Sequence, residues 1–243
     1  ALTLNRPGAL NAFNDALYGA FARALTEAAA SPDVAAVIVT GEGRAFSAGQ
    51  DLAELGDSRS HDERQQAGFG PFIAALESFP KPLIAAVNGL GVGIGMTMLP
   101  HCDLVLVSET ARLRVPFASL GVTAEAGSSL LLAQRMGWQA AAHALFTGRW
   151  IDADEAVRQG LAYRKLAAAR LLDEAHAIAA EIAAMPVASL VATKRLMLDA
   201  RLEASRAARA REDLAFAALV GGPANREALA AFAERRTPDF SRL

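Results

Sequence analysis

Three short runs constrain this chain's fold more than any other feature: Val34–Thr40 (VAAVIVT), Leu83–Asn88 (LIAAVN) and Leu104–Val107 (LVLV). Each is apolar, rich in β-branched residues and bounded by turn residues, and none alternates with polar positions. Such strands are buried on both faces, which favours parallel pairing. Parallel neighbours need long crossovers, usually helical, and the linking segments supply them. Asn11–Ala30 reads as a helix with an Asn or Asp start, stopped by Ser31-Pro32. Gly68–Ser78 reads as another, ended by Pro80-Lys81-Pro82, and Gly93–Leu99 follows a strand through a glycine turn as a helix start would. The fold class is therefore α/β.

From Gly127 onward the pattern turns helical, over Gly127–Arg135, Gln139–Phe146, Asp152–Gln159 and Ala169–Ala184. After Met185-Pro186 the rest is nearly all helix, broken at Gly221-Gly222-Pro223. This places an α/β core at 1–185 and a helical region at 186–243. No low-complexity linker separates them, so the tail is expected to pack on something. Ser58–Gln66 (SRSHDERQQ) is polar and aperiodic and reads as a surface loop.

Composition narrows the function classes. The 243 residues include 56 alanines, which suit helices. The formal net charge of −2 lacks the basic excess typical of nucleic-acid and membrane-surface binders. The single Cys102 excludes a disulfide framework, no Cys/His cluster has zinc spacing, and no metal is expected. Charge, Gly or Pro interrupts every apolar run before the roughly 18 residues of a membrane span. The chain opens at Ala1, apparently inside a strand, and nothing in it resembles a leader. A reducing, cytoplasmic compartment is the expectation.

Three segments have the residues for chemistry. Gly41–Leu52 (GEGRAFSAGQDL) follows a strand, and its small residues Ser47, Ala48 and Gly49 allow a ligand close to the backbone. It is not a P-loop, because no Gly-Lys-Ser/Thr follows, and a plain turn capped by Asp51 is equally compatible. Asn88–Gly95 (NGLGVGIG) does not fit the dinucleotide glycine spacing, but it offers free N–H groups at a helix start. Two such turns would suit a two-donor oxyanion hole. In Val115–Ser129 (VPFASLGVTAEAGSS), Glu125 stands alone among uncharged residues. It is either a helix N-terminal charge or a carboxylate in a nonpolar pocket, with raised pKa and a proton-transfer role.

Together these segments resemble the enoyl-CoA hydratase/isomerase (crotonase) superfamily. The matching pieces are Asn5–Phe13 (NRPGALNAF), Ala36–Leu52, Lys81–Gly95, Cys102-Asp103, Thr147–Leu161 (TGRWIDADEAVRQGL) and the tail Ala231–Phe240 (AFAERRTPDF). The resemblance implies a spiral of ββα units with a C-terminal helical trimerisation region, and a homotrimer or dimer of trimers. It implies an acyl-CoA thioester substrate, no cofactor apart from the coenzyme A of that substrate, and a place in fatty-acid β-oxidation. Carried over residue by residue, the oxyanion donors are the backbone N–H groups of Gln50 and Ile94. The surrounding substrate contacts are Ala48, Gly49, Asp51, Leu52, Gly93, Phe117 and Leu120.

Hydratases of this family use two glutamates around a water. The matching positions here are Thr97 and Phe117, neither of which exchanges a proton near pH 7. Glu125, eight residues beyond Phe117, matches the single catalytic glutamate of peroxisomal-type Δ3-Δ2-enoyl-CoA isomerases, although Ala124 stands where that subgroup often has proline. The resemblance thus implies a one-base double-bond isomerase. Alternatives are a hydratase-type activity using Glu125 alone, or a thioester-binding protein. Arg6, Lys81 and Arg235-Arg236 are candidate contacts to CoA phosphates. The Lys194–Arg211 cluster reads as an exposed helix face, the four histidines as structural or surface groups, and Cys102 as a buried apolar residue.

Overall fold

The computed structural model describes residues 1–51, 68–241 and 243. Nine strands lie in chain order: β1 (Leu2–Leu4), β2 (Val37–Gly41), β3 (Ala45–Ser47), β4 (Leu83–Val87), β5 (Leu90–Val92), β6 (Leu104–Ser108), β7 (Arg112–Arg114), β8 (Ile151–Asp152) and β9 (Arg164–Leu166). They form two sheets. One is parallel, in the order β1-β2-β4-β6-β9; the other runs β3-β5-β7-β8, and only its last pair is antiparallel. The successive pairs β2/β3, β4/β5 and β6/β7 each place their first strand in the five-stranded sheet and their second in the four-stranded one. This is the expected spiral of strand pairs.

Ten α-helices complete the described chain: α1 (Asp15–Ala30), α2 (Gly70–Glu77), α3 (Ile94–Thr97), α4 (Ser128–Met136), α5 (Trp138–Thr147), α6 (Ala153–Arg158), α7 (Leu171–Ala183), α8 (Val187–Asp199), α9 (Leu202–Leu219) and α10 (Pro223–Ala233). Their starts follow capping chemistry. Asn14 accepts the Leu17 N–H at 2.9 Å to open α1, and Asp152 accepts the Glu155 N–H at 2.8 Å to open α6.

The three diagnostic runs are indeed the two-sided interior of the parallel sheet. Val37, Val39, Ala85, Val87, Val105 and Val107 join the main core. Their alternates Ile38, Ile84, Ala86 and Leu106 face the other way and pack on Leu171 and Ala175 of α7. Period-two alternation puts half of each run on each face, so every position has to be apolar. An aromatic group, Phe13, Tyr18, Phe21 and Phe72, joins α1 to α2, with the Phe13 and Tyr18 rings stacked at 4.8 Å. Such pairs add about 0.5–1.5 kcal/mol beyond their buried area.

The tail is not a row of exposed faces, which corrects the expectation for Lys194–Arg211. Lys194, Glu212 and Asn225 are each about 5% exposed and reach into the core. Lys194 Nζ donates to Lys81 O at 2.6 Å and pairs with Asp103 at 2.7 Å. Asn225 Nδ2 donates to Leu120 O at 2.7 Å.

Candidate active site

The segment after β3 is laced to the chain's beginning. Buried Asn11 donates through Nδ2 to Glu42 O (2.9 Å) and Ala45 O (2.7 Å), while its own carbonyl accepts from Ser47 Oγ (2.9 Å). Ala48 N–H bonds Leu10 O, Phe13 N–H bonds Gly49 O, and Asp51 N–H bonds Phe13 O, at 2.7–2.9 Å. Gly49 donates to Ser47 Oγ at 3.2 Å. Gly49, at φ +97°, breaks the extended run, and Phe13 bridges Gln50 through the residues on either side of it, the Gly49 carbonyl and the Asp51 N–H. The Gln50 N–H therefore points away from residues 10–13, and it has no acceptor among the described residues. Asn11, which fixes this geometry, was read from the sequence as the start of a helix that in fact opens at Asp15; its place in the NRPGALNAF match was the available signal.

The second donor comes from a helix start. Met96 and Thr97 both donate to Gly93 O, at 2.8 and 2.9 Å, while the first N–H of α3, on Ile94, has no carbonyl one turn back. Gly93 itself donates to Arg114 O at 2.9 Å. Its φ of +53° and ψ of −122° suit glycine alone. The two donor turns lie against each other: a Cβ on Gly49 would come 2.9 Å from Val92 O, and one on Gly93 would sit 3.9 Å from Gly49 Cα.

Both turns open on a cavity of about 870 Å³. Ala48, Gly49, Gln50, Gly93, Ile94, Phe117, Leu120 and Glu125 all line it. Asp51 does not. It pairs with Arg6 at 2.9 Å, a link across the segment. Leu52 and the loop Ser58–Gln66 lie outside the described residues. Lys81 is buried, and its Nζ donates to Ala28 O and Ser31 O at 2.7 and 2.5 Å. Arg236 does line the cavity, held by Glu227 and Glu234. The far wall comes from the tail, through Phe216, Val220, Ala228, Leu229 and Phe232 of the same chain. Composition and periodicity gave no signal for that contribution.

Glu125 precedes a tight turn. Ala126 takes φ +60° and Gly127 φ +72°, so the carboxylate stands off the start of α4. Among the described residues nothing donates a hydrogen bond to it. The surface it keeps opens on the cavity. Burial pushes its carboxyl up to about 8, and the negative charges of Glu212 and Asp213 add to the effect. Glu212, reaching in from α9, accepts from Gly127 N–H at 2.6 Å, from Ser129 N–H at 2.8 Å and from the Ser129 hydroxyl. It therefore satisfies the N–H groups that open α4 while placing a negative charge behind Glu125. From the opposite side, His101 Nε2 meets Ala126 O at 2.8 Å. Burial lowers that imidazole to about 4, which keeps it neutral and structural. Buried Cys102, raised to about 12 by burial, is equally inert. Thr97 is fully buried and Phe117 forms apolar wall, so neither offers an ionisable group. Among the described residues no group of three His, Cys, Asp or Glu is placed to hold a metal.

Two adjoining N–H donors and a carboxyl group of raised basicity on one apolar cavity can stabilise an oxyanion while a proton moves. This combination on a spiral of strand pairs defines an enzyme of the crotonase fold. The Enoyl-CoA hydratase/isomerase profile matches residues 1–242, and the chain belongs to that family. It is 34% identical over 243 residues to the 2,3-dehydroadipyl-CoA hydratase of Escherichia coli, covering 98% of this chain and 93% of that protein. It is 29% identical over 253 residues to the 1,2-epoxyphenylacetyl-CoA isomerase of the same organism, covering 99% and 94%. The crystal structure of an enoyl-CoA hydratase/isomerase from Pseudoalteromonas atlantica superposes with a TM-score of 0.92, at 36% identity over 98% of this chain and 94% of that one.

Proposed function

We propose that this enzyme moves a double bond from position 3 to position 2, in the trans configuration, of an enoyl-CoA thioester, with Glu125 as its one proton-transfer group. The supporting observation is the carboxyl group of Glu125 on the cavity wall, raised by burial and standing beyond Phe117, with Thr97 and Phe117 where a hydratase would hold its two glutamates. Ionised Glu125 takes a proton from C2, and the electrons of that C–H bond pass into the thioester, forming a dienolate. Its oxygen is held by the Gln50 and Ile94 N–H groups. The protonated carboxyl returns the proton to C4 as the C2–C3 double bond forms. No water is consumed, so one base suffices. A pKa near 8 suits both steps, since the group takes the proton readily and releases it again.

The same reading calls for no cofactor beyond the coenzyme A of the substrate. It also favours assembly into trimers, which would cover apolar surface such as Trp138, Phe146 and Leu214, each 76% exposed. A label experiment tests the proton path. With 3-hexenoyl-CoA deuterated at C2, part of the label should appear at C4 of the product. A product whose C4 hydrogen comes wholly from solvent, or a 3-hydroxyacyl product, would overturn the single-base route.

A further inference from the structure

We propose that Arg114 recognises an acidic group on the acyl chain, so that the site takes acyl-CoA thioesters bearing a second carboxylate. The inference rests on the thioester reading above and names its substrate class. Arg114 ends β7, in register with Val92 of β5, and both side chains line the cavity. Its carbonyl accepts the Gly93 N–H, so the residue sits beside the turn that presents Ile94. The guanidinium is fixed in plane by two contacts: Nε donates to Gly148 O, and the group lies 5.4 Å from the centre of the Trp150 ring. Its two terminal nitrogens have no acceptor among the described residues. A planar pair of free donors fits a carboxylate with two parallel hydrogen bonds.

No carboxylate of the described chain already meets this need. The other guanidinium on the cavity, Arg236, is held by Glu227 and Glu234. Nor is Arg114 the counter-ion of Glu125, whose shift comes from burial, Glu212 and Asp213. The half-buried cation shares its cavity with Phe117, Leu120 and Val122, apolar neighbours that offer its terminal nitrogens no acceptor. Coenzyme A has anions of its own, but its phosphates lie a whole pantetheine arm from the thioester. Arg114 is one hydrogen bond from the proposed oxyanion turn, where the thioester reading puts the thioester carbonyl, and it lines the same cavity as Phe117 and Leu120.

Calorimetric binding of saturated thioesters tests this independently of any isomerisation. The probes are hexanoyl-CoA against adipoyl-CoA and octanoyl-CoA against suberoyl-CoA, each with wild type, Arg114→Met and Arg114→Lys. Wild type should bind a carboxylated member about tenfold more tightly than its neutral partner of equal length. Arg114→Met should abolish that ratio; Arg114→Lys, charged but without the fork, should keep part of it. No preference in wild type overturns the proposal whether or not the variants fold. Equal weakening of both members by Arg114→Met places the anion on the CoA phosphates and also overturns it. Failure to bind any of the four overturns the thioester reading itself.

Discussion

Glu125 has the environment its proposed role needs, because an exposed glutamate would be too weak a base to remove a carbon-bound proton. With a pKa near 8 it is about one-tenth ionised at pH 7, trading population for basicity. The pH dependence follows directly. The ionised form takes the proton, so kcat/KM should rise about tenfold per pH unit below 8 and level off above it. Glu212 contributes to the shift through its negative charge, so Glu212→Gln should move the rising limb toward acid. A profile flat from pH 6 to 9, or a limb unmoved in Glu212→Gln, would show that another group controls the step. Glu125 was a candidate in the sequence because it stands alone in an uncharged stretch. Glu212 was not: it lies 87 positions later among many charges, and only the packing of α9 on α4 shows what it does.

At the scale of elements, the proposed oxyanion site is two glycine turns brought together by the pairing of β3 with β5. Gly93 is its most constrained point. Alanine there must take φ +53° and ψ −122°, a strain of about 1–3 kcal/mol that relaxation would relieve by moving the Ile94 N–H. Gly93→Ala should therefore lower kcat by roughly 10²–10³ while the protein stays folded, as circular dichroism and steady-state rates would show. A kcat within a few-fold of wild type would mean that this N–H is not a donor to the transition state. The long interior strands were legible because burial on both faces leaves no polar position. The four-stranded sheet was not, since its strands are only two or three residues long and one contains Gly91. Segments that short carry no periodicity, and the turn at 88–95 conceals β5 within its glycines.

For the whole molecule, the tail docks by sending buried polar side chains inward from successive helices, Lys194 from α8, Glu212 from α9 and Asn225 from α10. A helix rich in alanine has little bulk to bury, so these bonds help fix where it lies, and where it lies sets the far wall of the cavity. Lys194→Met leaves Asp103 without its cation and should cost about 3 kcal/mol, near the low end for a broken buried pair. In a chain of this size that lowers the Tm by roughly 6–12 °C; a change of a degree or two would mean the tail is held by other contacts. The boundary near 186 was legible from Met185-Pro186, whereas the return of the tail over the site depended on contacts more than a hundred residues apart. The central claim is tested most directly by turnover of 3-hexenoyl-CoA and 2-hexenoyl-CoA by wild type beside Glu125→Gln. The proposed one-base route has wild type form the trans-2-enoyl thioester from the first and leave the second unhydrated. The variant should lose at least about 10² in kcat while still binding the thioester. Hydration of 2-hexenoyl-CoA as the main reaction, or undiminished isomerisation by Glu125→Gln, would contradict it.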